Sequence, residues 1–140
     1  MEIIQAWFDG SCSPINPGGT ARYGIVVKRN GETVYSGAGV VGTGSQMSNN
    51  VAEYAAVNAV MEYLIEKQIT GEVTIFGDSK IVISKLSKGR LSNGLCRPFS
   101  RRAVHLKQQL TCTPTFVWIP RHQNAEADKR SRMKTTNDDF

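Results

Sequence analysis

The order of the predicted secondary-structure elements is the feature that most restricts the fold of this chain. Strand-like patterns occur at residues 3–9, 22–29, 32–41, 73–78 and 115–119. Asn30-Gly31, a strong hairpin signal, joins the second and third strands, which predicts an antiparallel meander in the first part of the chain. Three strands followed by alternating helices and strands predict an α/β fold with a mixed sheet, whose later strands are parallel and covered by helices.

The predicted helices cover residues 49–67, 79–87, 98–110 and 125–133. Ser48 is the expected N-cap of the first helix. The final stretch, KTTNDDF, has no apolar face, and we expect it to be disordered. The sequence therefore predicts one domain at residues 1–133 and a disordered tail at residues 134–140, as suits a chain of 140 residues with 40% hydrophobic content.

Composition also bears on the compartment. No segment approaches the ~20 apolar residues of a membrane span, and the N-terminus has no signal-peptide pattern. We therefore expect a cytoplasmic protein without membrane contact and, since no obligatory protein partner is evident, a monomer. Cys12, Cys96 and Cys112 form no C-x-x-C pair, so neither a disulfide framework nor a zinc site has support. A nucleophilic cysteine beside His105 or His122 stays open, although buried or loop thiols are favoured.

Charge is distributed unevenly along the chain. Residues 1–78 carry four basic and eight acidic side chains, residues 79–125 carry nine basic and no acidic ones, and residues 126–140 carry four of each. The middle stretch suits a polyanion such as a nucleic acid. An ordinary solvated basic surface would explain it equally well, so charge alone does not decide.

The first predicted helix carries an acid where an apolar residue is expected. Its apolar side chains follow the three-and-four spacing of a buried stripe: Ala56, Val57, Val60, Met61 and Leu64. Glu53 belongs to the same stripe. Because an unpaired buried carboxylate is unfavourable, Glu53 is expected to have a cation or a hydrogen-bond donor beside it.

Two more acids are predicted at strand ends, Asp9 on the first strand and Asp78 on the fourth. In sheets of this type ligands collect at the carboxyl ends of the parallel strands. Taken singly, Asp9 could serve a turn, Asp78 could cap a helix and Asp128 could face solvent. If Glu53 reaches the same strand ends, the converging charges require a counter-ion, and oxygen ligands without a His or Cys cluster favour Mg²⁺ or Mn²⁺ over zinc.

Four motifs resemble the ribonuclease H type 1 family, in the family's order and spacing. They are FDGSC with NPGG after it, SNNVAE, GDS, and RHQNAEAD, and they lie within roughly residues 3–133. The resemblance implies a ribonuclease H-like fold, a five-stranded mixed sheet flanked by helices, with strands 1–3 antiparallel and the later strands parallel to strand 1. It also implies a metal-dependent endonuclease that hydrolyses the RNA strand of RNA/DNA hybrids.

By this resemblance Asp9, Glu53, Asp78 and Asp128 are catalytic carboxylates that bind metal. Two Mg²⁺ ions, with Mn²⁺ as a possible substitute, would activate a water and stabilise the leaving 3′ oxygen, which yields 5′-phosphate and 3′-hydroxyl ends. His122, in the loop before the last helix, would assist proton transfer or product release.

The resemblance implies substrate contacts as well. Asn16, Asn49 and Asn50 match positions whose amides contact the hybrid in its minor groove, where 2′-hydroxyls distinguish RNA from DNA. Ser48 matches a residue of the phosphate pocket and can also cap its helix. Lys80 stands where many members carry glutamine, so a phosphate contact is expected there. Residues within the matching motifs complete the expected substrate-binding set: Cys12, Ser79 and Asn124.

Other interpretations stay open. The chain could be a binding module that has lost catalysis, the nuclease-like domain of a larger polyprotein, or a transposase or integrase relative on the same fold.

Residues 37–42 also match the dinucleotide-binding pattern G-x-G-x-x-G, but the predicted helix begins near Ser48 rather than at the last glycine. Permissive glycines in an outer strand are the favoured explanation.

Overall fold

A five-stranded mixed sheet forms the centre of the computed structural model, which describes residues 2–132. Its strands are β1 (Ile4–Ser13), β2 (Thr20–Arg29), β3 (Glu32–Thr43), β4 (Gly71–Gly77) and β5 (Cys112–Trp118). Their spatial order is β3-β2-β1-β4-β5. The β1–β2 and β2–β3 pairs are antiparallel, whereas β4 runs parallel to both β1 and β5. The predicted mixed sheet is confirmed.

The helices of the described residues lie close to their predicted positions. They are α1 (Asn49–Glu66), α2 (Lys80–Lys88), α3 (Arg97–Gln109) and α4 (Ala125–Arg132). Short 3₁₀ turns, Gly94–Cys96 and Arg121–Gln123, precede α3 and α4. Ser48 caps α1 as predicted, because its hydroxyl accepts a hydrogen bond from Val51 N at 3.1 Å. The tail predicted at residues 134–140 lies outside the described residues.

The main hydrophobic core lies on the face of the sheet that α1 covers. Helix α1 packs against β1 and β2, and α3 covers the far side of α1. The predicted apolar stripe of α1 is fully buried: Ala56, Val57, Val60, Met61 and Leu64. Helix α4 packs on the opposite face, also across β1 and β2. Between residues 2 and 132, no helix combines the length and apolarity needed to cross a membrane.

Strand β1 is longer than predicted. The prediction that it ends at Asp9 is wrong, because the antiparallel ladder with β2 continues as far as Ser13. The parallel ladder with β4, by contrast, pairs β1 only from Ile4 to Trp7. Asp9 therefore lies inside a strand, just beyond the point where one of the two neighbouring strands stops pairing.

Two glycines let helices approach these strands closely. A Cβ on Gly10 would lie under 3.0 Å from backbone atoms of Ala52 and Glu53 in α1. A Cβ on Gly24, the register partner of Asp9, would lie equally close to Ser131 in α4. Since a side chain at either position would push a helix away, both glycines are needed for the close approach.

The glycines of the G-x-G-x-x-G pattern lie in β3, which is an edge strand of the sheet. A Cβ on Gly39 would lie under 3.0 Å from the Tyr23 ring of the neighbouring strand. The first helix begins only at Asn49. The pattern thus serves strand packing and does not open a helix, as dinucleotide binding would require.

Candidate metal centre

The Asp9 carboxylate lies against helix α4. The residue is 3% exposed, and the Ser131 hydroxyl donates a hydrogen bond to its Oδ2 at 3.2 Å. Because side chains alternate along a strand, Asp9 and its register partner Gly24 face α4, while Gly10 faces α1.

Glu53 approaches the same point from α1. It is 1% exposed, and its Oε1 accepts a hydrogen bond from Gly10 N at 2.8 Å. Its second oxygen, Oε2, is buried and has no hydrogen-bond partner among residues 2–132. The expected donor beside Glu53 is therefore a backbone N–H of β1, and it satisfies only half of the carboxylate.

Asp78 directly follows β4 and is fixed by residues from two other elements. The side-chain amide of Asn124 donates to Asp78 Oδ2 at 3.4 Å and to Phe8 O at 2.9 Å. The indole N–H of Trp118, at the end of β5, donates to Asp78 O at 3.1 Å. The shared Asn124 amide holds the Asp78 side chain beside Phe8, in the middle of β1 and next to Asp9.

The three acids converge as the sequence predicted. One carboxylate oxygen from each of Asp9, Glu53 and Asp78 lies within 4.8 Å of the other two. Burial, reinforced by the charges of Asp78 and Asp128, raises the pKa of Asp9 to about 7. Burial, followed by the charge of Asp9, raises the pKa of Glu53 well above its usual value. Without a cation the cluster therefore tends to hold protons.

Asp128 borders this cluster. Its side chain is 28% exposed and pairs with Arg132 Nε at 3.0 Å and Arg121 Nη2 at 3.8 Å. Partial burial alone would raise the pKa of Asp128, but a hydrogen bond with Asp9 and the two guanidinium groups lower it. Asp128 is thus the ionised neighbour of Asp9, and it stands outside the set of three mutually close oxygens.

The donor set fits a hard divalent cation. It offers only carboxylate oxygens, which Mg²⁺ and Mn²⁺ prefer. Within the described part of the chain the buried Glu53 Oε2 lacks a donor, and burial, reinforced by like charges, raises the pKa values of Asp9 and Glu53. A cation between the three side chains would satisfy that oxygen and remove the repulsion.

Solved structures of similar fold share most of the length of this chain. LC11-RNase H1, isolated from compost by a metagenomic approach and crystallised with an RNA/DNA hybrid, is 27% identical with a TM-score of 0.78, covering 91% of this chain and 92% of that one. RNase H1 from Halobacterium salinarum is 28% identical with a TM-score of 0.78, covering 91% and 93%. The N-terminal RNase H domain of a Mycobacterium tuberculosis protein is 25% identical, with a TM-score of 0.75 and 91% coverage of both chains.

Residues 7–134 match the sequence profile of the family described as reverse transcriptase-like. The chain belongs to this family, as a ribonuclease H of type 1. The resemblance drawn from the four motifs is confirmed. Family membership and the acidic cluster together make the chain a metal-dependent ribonuclease H.

His122 and Asn124, two further predicted site residues of this ribonuclease H, both precede α4. His122 is exposed in the 3₁₀ turn Arg121–Gln123, which leads into α4. Asn124, two residues later, is 1% exposed, and its amide points inward to Phe8 and Asp78. The structure therefore gives Asn124 a role in holding Asp78, while its predicted contact with substrate stays a prediction.

The predicted minor-groove residues lie beside one another. Asn49 N donates to Asn16 Oδ1 at 2.9 Å, which joins the loop after β1 to the start of α1. Asn50 is exposed in the first turn of that helix. The Cys12 thiol donates to Ile15 O at 3.2 Å and so braces the same loop.

Ser79 and Lys80 lie at the start of α2. The Ser79 hydroxyl caps the helix by accepting from Val82 N at 3.3 Å. The exposed Lys80 places its Nζ 4.7 Å from the centroid of the Trp118 ring, a cation–π distance. Trp118 thus contacts both Asp78 and Lys80.

Sequence reasoning missed several residues that build this site. Gly10 was part of the FDGSC motif but had no predicted role of its own, yet its N–H donates to Glu53. Ser131 lies one helical turn after Asp128, a spacing visible in the sequence, but only the packing of α4 on β1 brings it to Asp9. Trp118 and Arg132 carried no signal beyond strand and helix propensity.

Proposed function

We propose that this ribonuclease H is an endonuclease that hydrolyses the RNA strand of RNA/DNA hybrids with two bound divalent ions, leaving 5′-phosphate and 3′-hydroxyl ends. The observation that carries the proposal is the convergence of Asp9, Glu53 and Asp78 within 4.8 Å, with a donorless oxygen on Glu53. The similar LC11-RNase H1 was crystallised with an RNA/DNA hybrid, which supports the choice of substrate.

The protein's part in the reaction is to hold metal and substrate. Asp9, Glu53, Asp78 and the bordering Asp128 would bind Mg²⁺, with Mn²⁺ as a substitute. When bound, such ions supply Lewis-acid activation of water and stabilise charge on the phosphate and the leaving 3′ oxygen. Gly10 and Asn124 fix the acids through the hydrogen bonds described above, so the ligands are preorganised.

We propose a role for His122 in the handling of protons during the reaction. Its ring is exposed in the turn before α4, the helix that carries Asp128. We propose that this imidazole assists proton transfer or product release.

Hybrid recognition is proposed at the start of α1 and the loop after β1. The hydrogen bond from the Asn49 backbone N–H to Asn16 Oδ1 keeps the Asn16 side chain at the start of α1, and Asn50 follows as an exposed residue. Amide groups so placed can read 2′-hydroxyls and base edges in the minor groove. Ser48, which is partly exposed at the cap of α1, and Ser79 are proposed to contact phosphate.

The basic stretch supplies the electrostatic part of binding. Arg121, which pairs with Asp128, is an exposed member that lies just before α4. The other exposed members lie on or beside α2 and α3: Lys80, Lys88, Arg90, Arg97, Arg101 and Arg102. Lys107 is engaged otherwise, since its Nζ donates to Leu86 O at 2.8 Å. We propose that the exposed cations contact the hybrid backbone, including the DNA strand.

We propose that the protein acts as a monomer in the cytoplasm. Its three cysteines are free thiols, as suits a reducing compartment. His105 contacts Gln109 on its own helix at 2.6 Å, and Cys12 contacts a backbone oxygen, so their contacts give no support to a nucleophilic Cys–His pair.

The decisive experiment is cleavage of a labelled RNA/DNA hybrid with Mg²⁺ or Mn²⁺, beside matched RNA/RNA and DNA/DNA duplexes. We expect metal-dependent cutting of the RNA strand with 5′-phosphate products, loss of cutting in Asp9→Asn, and wild-type cutting in Glu72→Gln, an exposed acid at the other end of β4. Hybrid binding without any cutting would instead indicate a binding module or a domain that needs neighbours.

A further inference from the structure

The Ser131 hydroxyl is a buried polar group that no step of the proposed reaction uses. Ser131 is 0% exposed near the end of α4. Its Oγ lies 3.2 Å from Asp9 Oδ2 and 2.8 Å from Asp128 O. A hydroxyl has one proton, so these two acceptors share it. The residue therefore links one acid of the cluster to the backbone of another.

Two residues of the sheet hold α4 where Ser131 can reach Asp9. Gly24 stands opposite Asp9 in the β1–β2 ladder, and the backbone of α4 at Ser131 rests on it because Gly24 has no side chain. The Ser11 hydroxyl, two residues beyond Asp9, donates to Ser131 O at 3.0 Å. Gly24 and Ser11 therefore hold the backbone of Ser131 in place, and this keeps its hydroxyl beside Asp9.

Ser131 is a neutral side chain that donates a hydrogen bond to the Asp9 carboxylate. The other side chains that affect Asp9, namely Glu53, Asp78 and Asp128, are acids. A carboxylate ligand held by a neutral donor keeps one orientation, so less rotamer freedom is lost when a cation binds. Loss of this hydrogen bond should therefore affect metal affinity rather than the chemical step.

We propose that Ser131 is a positioning residue of the metal centre, which orients Asp9 for the divalent ion and couples it to the Asp128 segment of α4. The proposal rests on the metal site of the proposed function. It assigns Ser131 no contact with substrate. Removing the hydroxyl should weaken metal binding and leave turnover at saturating metal nearly unchanged.

The test is calorimetric titration of Mg²⁺ into the nucleic-acid-free protein at pH 8.5, for the wild type, Ser131→Ala and Ser11→Ala. We expect Ser131→Ala to weaken Mg²⁺ affinity roughly tenfold, as is typical when a partner of a metal ligand is removed. Ser11→Ala breaks a hydrogen bond between the same two elements without touching an acid. Because the Ser131 backbone still packs on Gly24 and the Ser131 hydroxyl is retained, this variant should bind Mg²⁺ within about twofold of the wild type.

Hybrid cleavage at increasing Mg²⁺ provides the second readout. In Ser131→Ala the Mg²⁺ concentration at half-maximal rate should rise by a similar factor, while kcat at saturation stays within about threefold. Equal Mg²⁺ affinity in Ser131→Ala and wild type would overturn the proposal, and so would an equal loss in Ser11→Ala, which would indicate a general loosening of α4.

Two further results keep the outcomes distinct. If Ser131→Ala does not fold cooperatively, Ser131→Cys retains the size of the side chain with a weak donor, and it should also lose Mg²⁺ affinity. Wild-type affinity in Ser131→Cys would then overturn the role of the hydroxyl. If the wild type itself binds no Mg²⁺, the metal site fails, and the role of Ser131 fails with it.

Discussion

Replacing Asp9 by Asn should stabilise the metal-free protein at alkaline pH. The folded state raises the pKa of Asp9 from 3.8 to about 7, chiefly through burial. A raised carboxyl pKa means that the folded state binds the proton more tightly than the unfolded state. The stability that the protonated Asp9 contributes is therefore complete below pH 3.8 and is lost as the pH rises through about 7.

The size of the effect follows from the shift. Each pKa unit is worth about 1.4 kcal/mol, so the difference between 3.8 and about 7 corresponds to about 4 kcal/mol at pH 8.5. In Asp9→Asn the ionisation is absent, while the Asn Oδ1 can still accept from Ser131. For a domain of this size, a gain of that magnitude raises Tm by roughly 10 °C.

Thermal and urea unfolding in EDTA, from pH 5 to pH 8.5, would measure this gain. The difference between Asp9→Asn and wild type should already be more than a third of its full size at pH 5 and should reach its full size just above pH 7, because it grows only between the unfolded and folded pKa values of Asp9. Added Mg²⁺ should stabilise the wild type and leave the variant nearly unaffected, because ligands that bind only the folded state raise its stability. Glu72→Gln should change stability by less than about 0.5 kcal/mol at every pH. A pH-independent difference, or a variant less stable than wild type at pH 8.5, would refute the account of a repelling, buried cluster.

The other predictions concern the second acid, its helix and the basic surface. Glu53→Gln should lose most Mg²⁺ affinity in a calorimetric titration, and unchanged binding would remove Glu53 from the site. Gly10→Ala should destabilise the fold by roughly 3 kcal/mol in urea unfolding and impair Mg²⁺ binding, because the added Cβ meets the α1 backbone under 3.0 Å away. Hybrid affinity should fall more than roughly tenfold between 50 and 200 mM salt in a fluorescence titration, with a shallower slope in Lys88→Ala. A flat salt dependence would contradict the proposed phosphate contacts.

Local patterns in the sequence predicted those parts of the site that depend on a single element. The apolar stripe of α1 follows from helical spacing. Glu53 was recognisable as a site residue because it is a charged residue on that stripe. Asp78 was recognisable because β4 ends in Gly77 and the cap Ser79 follows one residue later. The extension of β1 past Asp9 was not predictable, since it depends on pairing with β2, which is a long-range property. The contacts of Ser131 and Trp118 with Asp9 and Asp78 likewise depend on packing between elements far apart in sequence.

The unequal lengths of β1 and β4 explain why acids from opposite faces of the sheet can meet. Asp9 lies on the α4 side of β1, whereas Glu53 comes from α1 on the other side. A complete sheet would separate them. Since β4 stops pairing at Trp7, β1 continues with one edge uncovered, and the N–H of Gly10 is donated to Glu53 Oε1 there. The carboxylate thus satisfies a backbone group of the strand and reaches the end of β4, where Asp78 follows. A longer β4 would close this gap between the faces, and the three oxygens could no longer converge on one cation.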